Sequence, residues 1–416
     1  MKDFVNNNSG SEVSKVVFII TTSQFTGAKT AGARRILNIA RSLAFNNVVV
    51  YIFSYVDFVN LSEELWEMHP RIYVYGKGLE GSPSNKKGLR YFLRVSLNFM
   101  SMSKADSVVY LYPTTYILRD FLYLFYFKFL KGYRFYCEIN ELRSSIAFSS
   151  ALPAGIYHKI IYILKSAKDA AVYYVNEWQV PLYDGVTVIS TALERYFLPR
   201  ARKLTRIPIL CNEDEIEPVD SQQFFDGNVF RICFAGYVKI DKEGFEILLK
   251  SLSQINQNYR VELYIYGLME DADGSRLKDL TVYYGLTGRI IYLGNIDPDQ
   301  LLNEFNKYHL LILPRTLNKR TRYGLSTKLS EYLVSGTPVL VTDVSDNALI
   351  IKDNYNGFII PPGSPEVMTR KLTEIIESYN STVHNVVENA HLTVREQLDY
   401  RRFSQQYIDF FFSNNV

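Results

Sequence analysis

The sequence predicts an α/β protein of two domains, each a doubly wound parallel sheet. Three observations carry this. The chain has 416 residues, too many for one ordinary core and enough for two. Short, continuous apolar runs of strand length alternate with segments of helical period, the pattern of repeated βαβ units. That alternation stops at an acidic, aperiodic stretch over 212–228, which carries Pro218 and Gly227, and then starts afresh.

Composition bounds the function classes. Hydrophobic content of 47%, charged content of 21% and a net charge of +3 are ordinary for a globular protein and give no global reason to bind nucleic acid. The N-terminus, M-K-D-F-V-N-N-N-S-G-S-E, has no apolar core of the secretory type. The most apolar stretch, 108–130, is broken by Pro113, Arg119, Asp120 and Lys128, so no membrane span is expected. Cys137, Cys211 and Cys233 sit at the ends of apolar runs without metal-ligand spacing and read as buried thiols in a reducing compartment. A cytoplasmic protein without a metal site is expected.

In chain order, 15–20 is a strand and 21–29 a polar loop ending in Gly27, Ala28 and Lys29. A helix follows over 30–45, with Ala33, Ile36, Leu37, Ala40 and Leu43 on one face, and then a strand over 48–53. In such a unit the loop after the first strand lies where open sheets bind ligands. Strands are expected at 71–75, 107–112, 133–139, 185–190 and 205–210, and helices at 88–102, 116–130, 156–168 and 191–198. Between residues 71 and 134 there are 11 Lys/Arg against 3 Asp/Glu, interleaved with aromatic residues. That segment is either ordinary core helices with snorkelling lysines or a surface that docks on anionic membrane. Glu141 and Arg143, in the loop N-E-L-R after the 133–139 strand, either form an incidental ion pair or project into a cleft at the strand's carboxyl end.

The second series has strands at 229–235, 261–266, 289–293 and 310–313. Gly236, Gly267 and the triplet Gly294-Asn295-Ile296 stand at the ends of the first three. Lys242 precedes a helix over 245–255. Asp271-Ala272-Asp273 spells a D-x-D but reads as a capping run before a helix. The loop 315–325 holds Arg315, Lys319, Arg320 and Arg322 and no acid, so it is either a solvated loop or a funnel for an anion.

The stretch S-T-K-L-S-E-Y-L-V-S-G-T-P-V-L-V-T over 326–342 organises this half. Ser326 is a good N-cap, Leu329, Leu333 and Val334 repeat at helical spacing, Gly336 suits the left-handed C′ position and Pro338 stops the helix. Lys328 is in the first turn, where the macrodipole is positive and a lysine is disfavoured by roughly 0.3–1 kcal/mol. An anion on the helix terminus, held also by Ser326 and Thr327, would remove that cost. Glu331 shares the face with Thr327 and Lys328 and could accept from a ribose diol; a solvent-facing Lys–Glu pair is the alternative. Further on, a strand at 357–360, a helix from Ser364 to about 378 and a closing aromatic helix over 400–412 are expected.

The 326–342 stretch with its following Asp resembles the donor-site segment of retaining glycosyltransferases of family 4, of the bacterial polysaccharide type and GT-B fold. E-I-N-E-L-R, T-V-I-S-T-A-L-E-R-Y and N-G-F-I-I-P-P-G-S-P-E resemble the same family. The resemblance implies two Rossmann-like domains, 1–212 on the acceptor side and 229–395 on the nucleotide-sugar side. They would be joined by a linker over 213–228 and face each other across a cleft, with 396–416 packing back on the first. It also implies transfer of a sugar from a UDP- or GDP-linked donor to a glycan or polyprenyl-diphosphate-linked acceptor, at the inner face of the membrane. No cofactor is implied. Carried onto this chain, Lys242, Lys328, Glu141 and Arg143 are the catalytic set. Gly236, Tyr237, Gly267, Asn295, Ile296, Arg322, Tyr323, Gly324, Ser326, Thr327, Leu329 and Glu331 line the donor, and Gly27, Ala28 and Lys29 form the acceptor-side loop.

Three departures stand out. Tyr237 replaces an arginine of the family's G-R-L-x-x-x-K-G loop, Lys242 is shifted by one residue, and Tyr323 stands where a first glutamate precedes Glu331 by eight positions. Lys239, Arg315, Arg320 or Arg322 could replace the missing cation. Two rivals follow from the same residues: a nucleotide-sugar epimerase, against which the five scattered histidines count, and a non-catalytic partner or scaffold that kept the fold.

Overall fold

A computed structural model describes residues 15–25, 31–55, 64–77, 89–101, 106–113, 117–145, 155–218 and 224–413. The chain forms two units: Met1–Pro208 with Tyr400–Val416, and Ile209–Asp399.

The first unit is built on an eight-stranded sheet of order β3-β4-β2-β1-β5-β6-β7-β8. Its strands are β1 Lys15–Thr21, β2 Val49–Ser54, β3 Glu64–His69, β4 Ile72–Lys77, β5 Asp106–Leu111, β6 Arg134–Ile139, β7 Gly185–Val188 and β8 Leu204–Arg206. β1 pairs in parallel with β2 and β5, and its V-V-F-I-I run is buried, as expected of a strand covered on both faces. β3 departs from the all-parallel expectation: it runs antiparallel to β4, joined by a turn with Arg71 at φ 67. Its E-L-W-E-M-H sequence carries the charges suited to a sheet edge, and it lacks the continuous apolar run that marks the other strands. β8 ends before Pro208, which cannot donate to a ladder, so the strand expected over 205–210 is short.

A buried ion pair locks this unit. Arg35, on the helix Ala31–Phe45, donates Nε to Glu138 on β6 at 2.6 Å and its two terminal nitrogens to the carbonyls of Pro208 and Ile207. Thr187 and Tyr110 donate to the second oxygen of Glu138. Both oxygens of this buried carboxylate are thus hydrogen-bonded. The closing segment begins as a 3-10 turn, Tyr400–Phe403, and continues as the helix Ser404–Phe412. Tyr407, Phe410 and Phe411 are buried, while Phe403 is half-buried. Phe411 packs edge-on to Tyr136 of β6, with centroids 4.9 Å apart.

Two helices are longer than their apolar period suggested. Ile156–Trp178 continues past 168 because K-S-A-K-D interrupts the pattern without a Gly or Pro to end it. Pro365–Thr393 starts at Ser364, whose Oγ accepts from Val367 N at 3.2 Å, and runs far beyond 378. Among the described residues, no helix is long and apolar enough to cross a membrane.

The second unit has six parallel strands in the order β11-β10-β9-β12-β13-β14. They are β9 Phe230–Ala235, β10 Val261–Tyr266, β11 Ile290–Gly294, β12 Leu310–Leu313, β13 Val339–Thr342 and β14 Phe358–Ile360. The order reverses between β9 and β12, the switch point where open α/β sheets place ligands. Part of the stretch expected as a linker is tied to this unit: Glu213 N donates to Asp399 Oδ2 at 2.8 Å and Glu217 N to Val334 O at 2.9 Å. The three cysteines are buried free thiols.

Candidate functional site

The residues after β9 and β12 meet the start of the helix Lys328–Val334. Tyr332 fixes that helix: its hydroxyl accepts from Ala235 N at 2.8 Å, the last residue of β9. The next residue must be glycine. Gly236 has φ 138, and a Cβ there would lie 2.0 Å from Lys328 Cε. The lysine stem therefore runs across the Gly236 backbone, with Nζ 4.0 Å from the Phe234 ring centroid. Gly267, ending β10, abuts the Gly236 carbonyl, and its N–H donates to Gly294 O at 2.7 Å. Gly236, Gly267 and the Gly294-Asn295-Ile296 turn are thus brought together at one end of the sheet. Asn295 is exposed and Ile296 half-buried.

The charge at this end is set by a residue that sequence reasoning missed. Glu243 closes the short helix Ile240–Glu243 and is 2% exposed. Around its carboxylate stand Arg315 Nε at 3.2 Å, Lys328 Nζ at 3.5 Å and Lys242 Nζ at 3.8 Å. One carboxylate thus faces three cations, and the four groups together are positive. Burial pushes the Glu243 pKa up, but Arg315, Lys328 and Lys242 together bring it down to about 2. Burial lowers Lys328 to about 8, Glu243 opposing and Arg315 and Lys242 adding to the fall. Among the described residues, Lys328 Nζ and Ser326 Oγ are both buried without a hydrogen-bond partner. Two buried donors left unsatisfied beside excess positive charge form an arrangement that an anion would complete. The D-K-E-G spelling around Glu243 gave no signal of burial. What packs this helix against the end of β12 is Gly244, where a side chain's Cβ would lie 2.0 Å from the Pro314 carbonyl oxygen.

Several expectations change here. Ser326 does not cap the helix: Thr327 occupies the N-cap position, makes no side-chain cap, and Leu329 N is taken by Ser326 O. Leu329 is a core residue at 0% exposure, so its side chain offers nothing to a ligand. The 315–325 stretch is not an open loop of cations. Asn318 and Thr321 form a capping box on the helix Lys319–Tyr323, and Arg315 is buried against Glu243. Arg322 is exposed, and Tyr323, Gly324, Thr327 and Glu331 are half-buried along the same segment. Lys239 is engaged by Glu270 at 2.6 Å and Asp273 at 2.9 Å, and Tyr237 donates its hydroxyl to Glu270. Asp273 of the D-x-D accepts from Lys239 and from Ile240 N, so it braces the Gly236 loop rather than capping its own helix. Among the described residues, no group of His, Cys, Asp and Glu could hold a metal ion.

Glu141 and Arg143 lie in the first unit. Glu141 is half-buried after β6; Arg143 opens a 3-10 turn with Nη1 3.8 Å from Asp120 Oδ2. Both border a cavity of about 40 Å³ with Asp120 and Glu177. Gly27, Ala28 and Lys29 fall outside the described residues.

Residues 217–393, most of the second unit, match the family Glycosyl transferases group 1. Two uncharacterized glycosyltransferases of Methanocaldococcus jannaschii are similar. One is 24% identical over 235 residues, 54% of this chain and 57% of the relative. The other is 23% identical over 178 residues, 43% of each. The chain thus spans about half the length of the curated relatives it matches. Solved structures align over nearly the whole chain. Sucrose-phosphate synthase from Thermosynechococcus elongatus has a TM-score of 0.68 at 15% identity, covering 94% of this chain and 97% of that one. Anabaena HepE in complex with UDP-glucose has a TM-score of 0.63 at 16% identity, covering 95% and 98%. At these identities the likeness is one of fold, and the chain has the GT-B fold of two parallel-sheet α/β units.

Proposed function

We propose that the protein is a glycosyltransferase that moves a sugar from a nucleotide-sugar donor to a glycan or a polyprenyl-diphosphate-linked glycan. The observation that carries this is the Lys328 cluster: a buried ammonium and a buried hydroxyl without hydrogen-bond partners, beside a carboxylate ringed by three cations, at the switch point of the second unit. The site suits a nucleoside diphosphate. Lys328 and Lys242 would stabilise charge developing on the leaving diphosphate, electrostatic work that requires no metal. Glu331 would accept from the ribose diol, the backbone at Gly267, Asn295 and Ile296 would border the base, and Arg322, Tyr323 and Gly324 the donor sugar. The matched family supports glycosyl transfer, and the UDP-glucose complex of the Anabaena neighbour supports a UDP-linked donor. Retention at the anomeric carbon, an acceptor facing Glu141 and Arg143, a role in cell-surface polysaccharide synthesis and work at the inner face of the membrane complete the proposal.

The test is a metal-free thermal-shift screen of wild type and Glu331→Ala against UDP, GDP, ADP, CMP and dTDP. A ligand at roughly 100 times its Kd stabilises by about 2.7 kcal/mol. One nucleotide that shifts wild type and not the variant supports the donor site and fixes the base. No shift with any of them would overturn the reading in favour of a scaffold.

A further inference from the structure

The helix Ile156–Trp178 faces solvent with its apolar side. Its buried or half-buried positions, Tyr162, Ser166, Asp169, Ala170, Tyr173 and Glu177, fall at i, i+4, i+7, i+8, i+11 and i+15, a single stripe that packs on the first unit. The opposite face of a surface helix is ordinarily polar. Here it carries Ile160, Ile163, Leu164 and Val175, with Ile156 81% and Trp178 80% exposed. The helix Ile117–Leu124 packs beside it and continues as Phe125–Leu130. They expose Leu118, Phe121, Leu122, Phe125 and Phe129, again one stripe at i, i+3, i+4, i+7 and i+11. Sixteen of the twenty-nine exposed large apolar side chains among the described residues lie in these two stretches. Such concentration on a globular surface marks a contact, not chance.

Charge selects the partner. The exposed charged residues of the two stretches and the turn after the first are, among the described residues, all lysines: Lys131, Lys159, Lys165 and Lys168. Asp120 and Glu177 are buried, and Asp169 is half-buried. At 100° per residue, Lys159 and Lys165 fall on opposite margins of the apolar arc and Lys168 falls within it; the long stems can lie along the apolar surface while the ammonium groups reach outward. Protein interfaces are depleted in lysine at their cores. An apolar face edged by lysines is the pattern of helices lying in the plane of an anionic bilayer.

We infer that the helices Ile117–Leu124 and Ile156–Trp178 form a docking face that seats the first unit on an anionic lipid surface, with the apolar arc at acyl-chain depth and the lysines among headgroups. This deepens the peripheral-membrane part of the proposed function and rests on it. It needs neither donor nor acceptor, so its failure would leave the donor site standing.

The test uses the full chain and vesicles of phosphatidylcholine, alone or with about a third phosphatidylglycerol. The chain has two tryptophans, so Trp66→Phe makes Trp178 the sole reporter. Wild type is expected to float with the anionic vesicles and bind neutral ones far more weakly, with a blue shift of Trp178 emission on binding. Each lysine near such a surface is worth about fivefold, so Lys159→Gln with Lys165→Gln and Lys168→Gln weakens anionic binding on the order of a hundredfold. Ile160→Glu with Leu164→Glu abolishes binding to both compositions at unchanged circular dichroism and Tm, because both side chains are exposed. Wild type that stays free of anionic vesicles overturns the inference. So does undiminished binding by the glutamate variant, or an oligomer in solution that this variant dissolves while vesicle binding is absent, which would assign the face to a second copy.

Discussion

Replacing Lys328 by methionine should stabilise the second unit of the unliganded protein while abolishing the proposed nucleotide binding. Burial lowers the Lys328 pKa from 10.5 to about 8, against the pull of Glu243 and with the push of Arg315 and Lys242. At about 1.4 kcal/mol per unit, holding that ammonium in the fold costs about 3 kcal/mol. The folded pKa lies below the unfolded one. At pH 7 the lysine is charged in both states and the full cost is present. Between about pH 8 and 10.5 the unfolded chain keeps a proton that the folded chain has lost, so stability rises with pH and the cost disappears. Methionine matches the lysine stem in shape and is not charged. The cation–π contact with Phe234, 4.0 Å from the centroid, is lost and takes back about 1 kcal/mol. The net expectation at pH 7 is a gain of about 2 kcal/mol, and the rise between pH 8 and 10 should vanish. Amide exchange of β9 and β12 measured across that range reports the second unit alone, which avoids treating a two-unit chain as one transition. The same variant should show no thermal shift with the nucleotide that stabilises wild type. A loss of more than about 1 kcal/mol at pH 7 in β9 and β12 would refute the reasoning and make Lys328 a structural lysine.

Two predictions follow from the same cluster. An anion on Lys328 raises its pKa again, so nucleoside diphosphate should bind with proton uptake around pH 8 to 9, and affinity should fall as pH rises through that range; calorimetry in buffers of different ionisation enthalpy counts the proton. Glu243→Gln leaves three cations without their carboxylate, and from a folded pKa of about 2 against 4.5 it should cost about 3 kcal/mol at pH 7. Because that carboxylate is depressed, its contribution is present above pH 4.5 and lost as pH falls towards 2, so urea unfolding of wild type and variant should converge as pH falls from about 4.5 to about 2.

The frame of the fold was legible because strands covered on both faces read as unbroken apolar runs. The runs at Val16–Ile20, Val261–Tyr266 and Leu310–Leu313 each became a strand within a residue or two of the expected ends. The glycine at 336 and the proline at 338 marked the end of the helix Lys328–Val334 as expected, with Gly336 at φ 73. What period cannot carry was missed. β3 is an edge strand of mixed polarity, and the helices Ile156–Trp178 and Pro365–Thr393 end on tertiary packing rather than on a local stop. At the site, Lys328 was visible because a cation in a first turn violates a local rule. Glu243 was not, because a glutamate beside a lysine near a helix start obeys every local rule and only burial makes it decisive. Ser326 failed as a cap for the reason that makes it interesting: its hydroxyl is spent on no backbone donor.

The absence of an arginine at position 237 is a matter of charge balance. Neither Lys239 nor Arg315 is a spare cation, since Lys239 is held by Glu270 and Asp273 and Arg315 by Glu243. Yet Arg315 alters the balance. Glu243 carries one negative charge and Arg315 already answers it, so the same carboxylate cannot also neutralise Lys242 and Lys328, both within 3.8 Å of it. At an effective dielectric of about 20, each unit charge about 4 Å from a phosphate is worth roughly 4 kcal/mol before desolvation. Tyr237, with its hydroxyl on Glu270, then removes no positive charge from the cluster. The two departures from the family pattern therefore have different weight. The tyrosine at 237 is offset by the Arg315–Glu243 pair behind it, whereas Tyr323 has no acid substituted for it between Arg315 and Ser330. If the proposed function holds, selection among donor sugars that differs from the family should trace to position 323 and not to the cluster around Glu243.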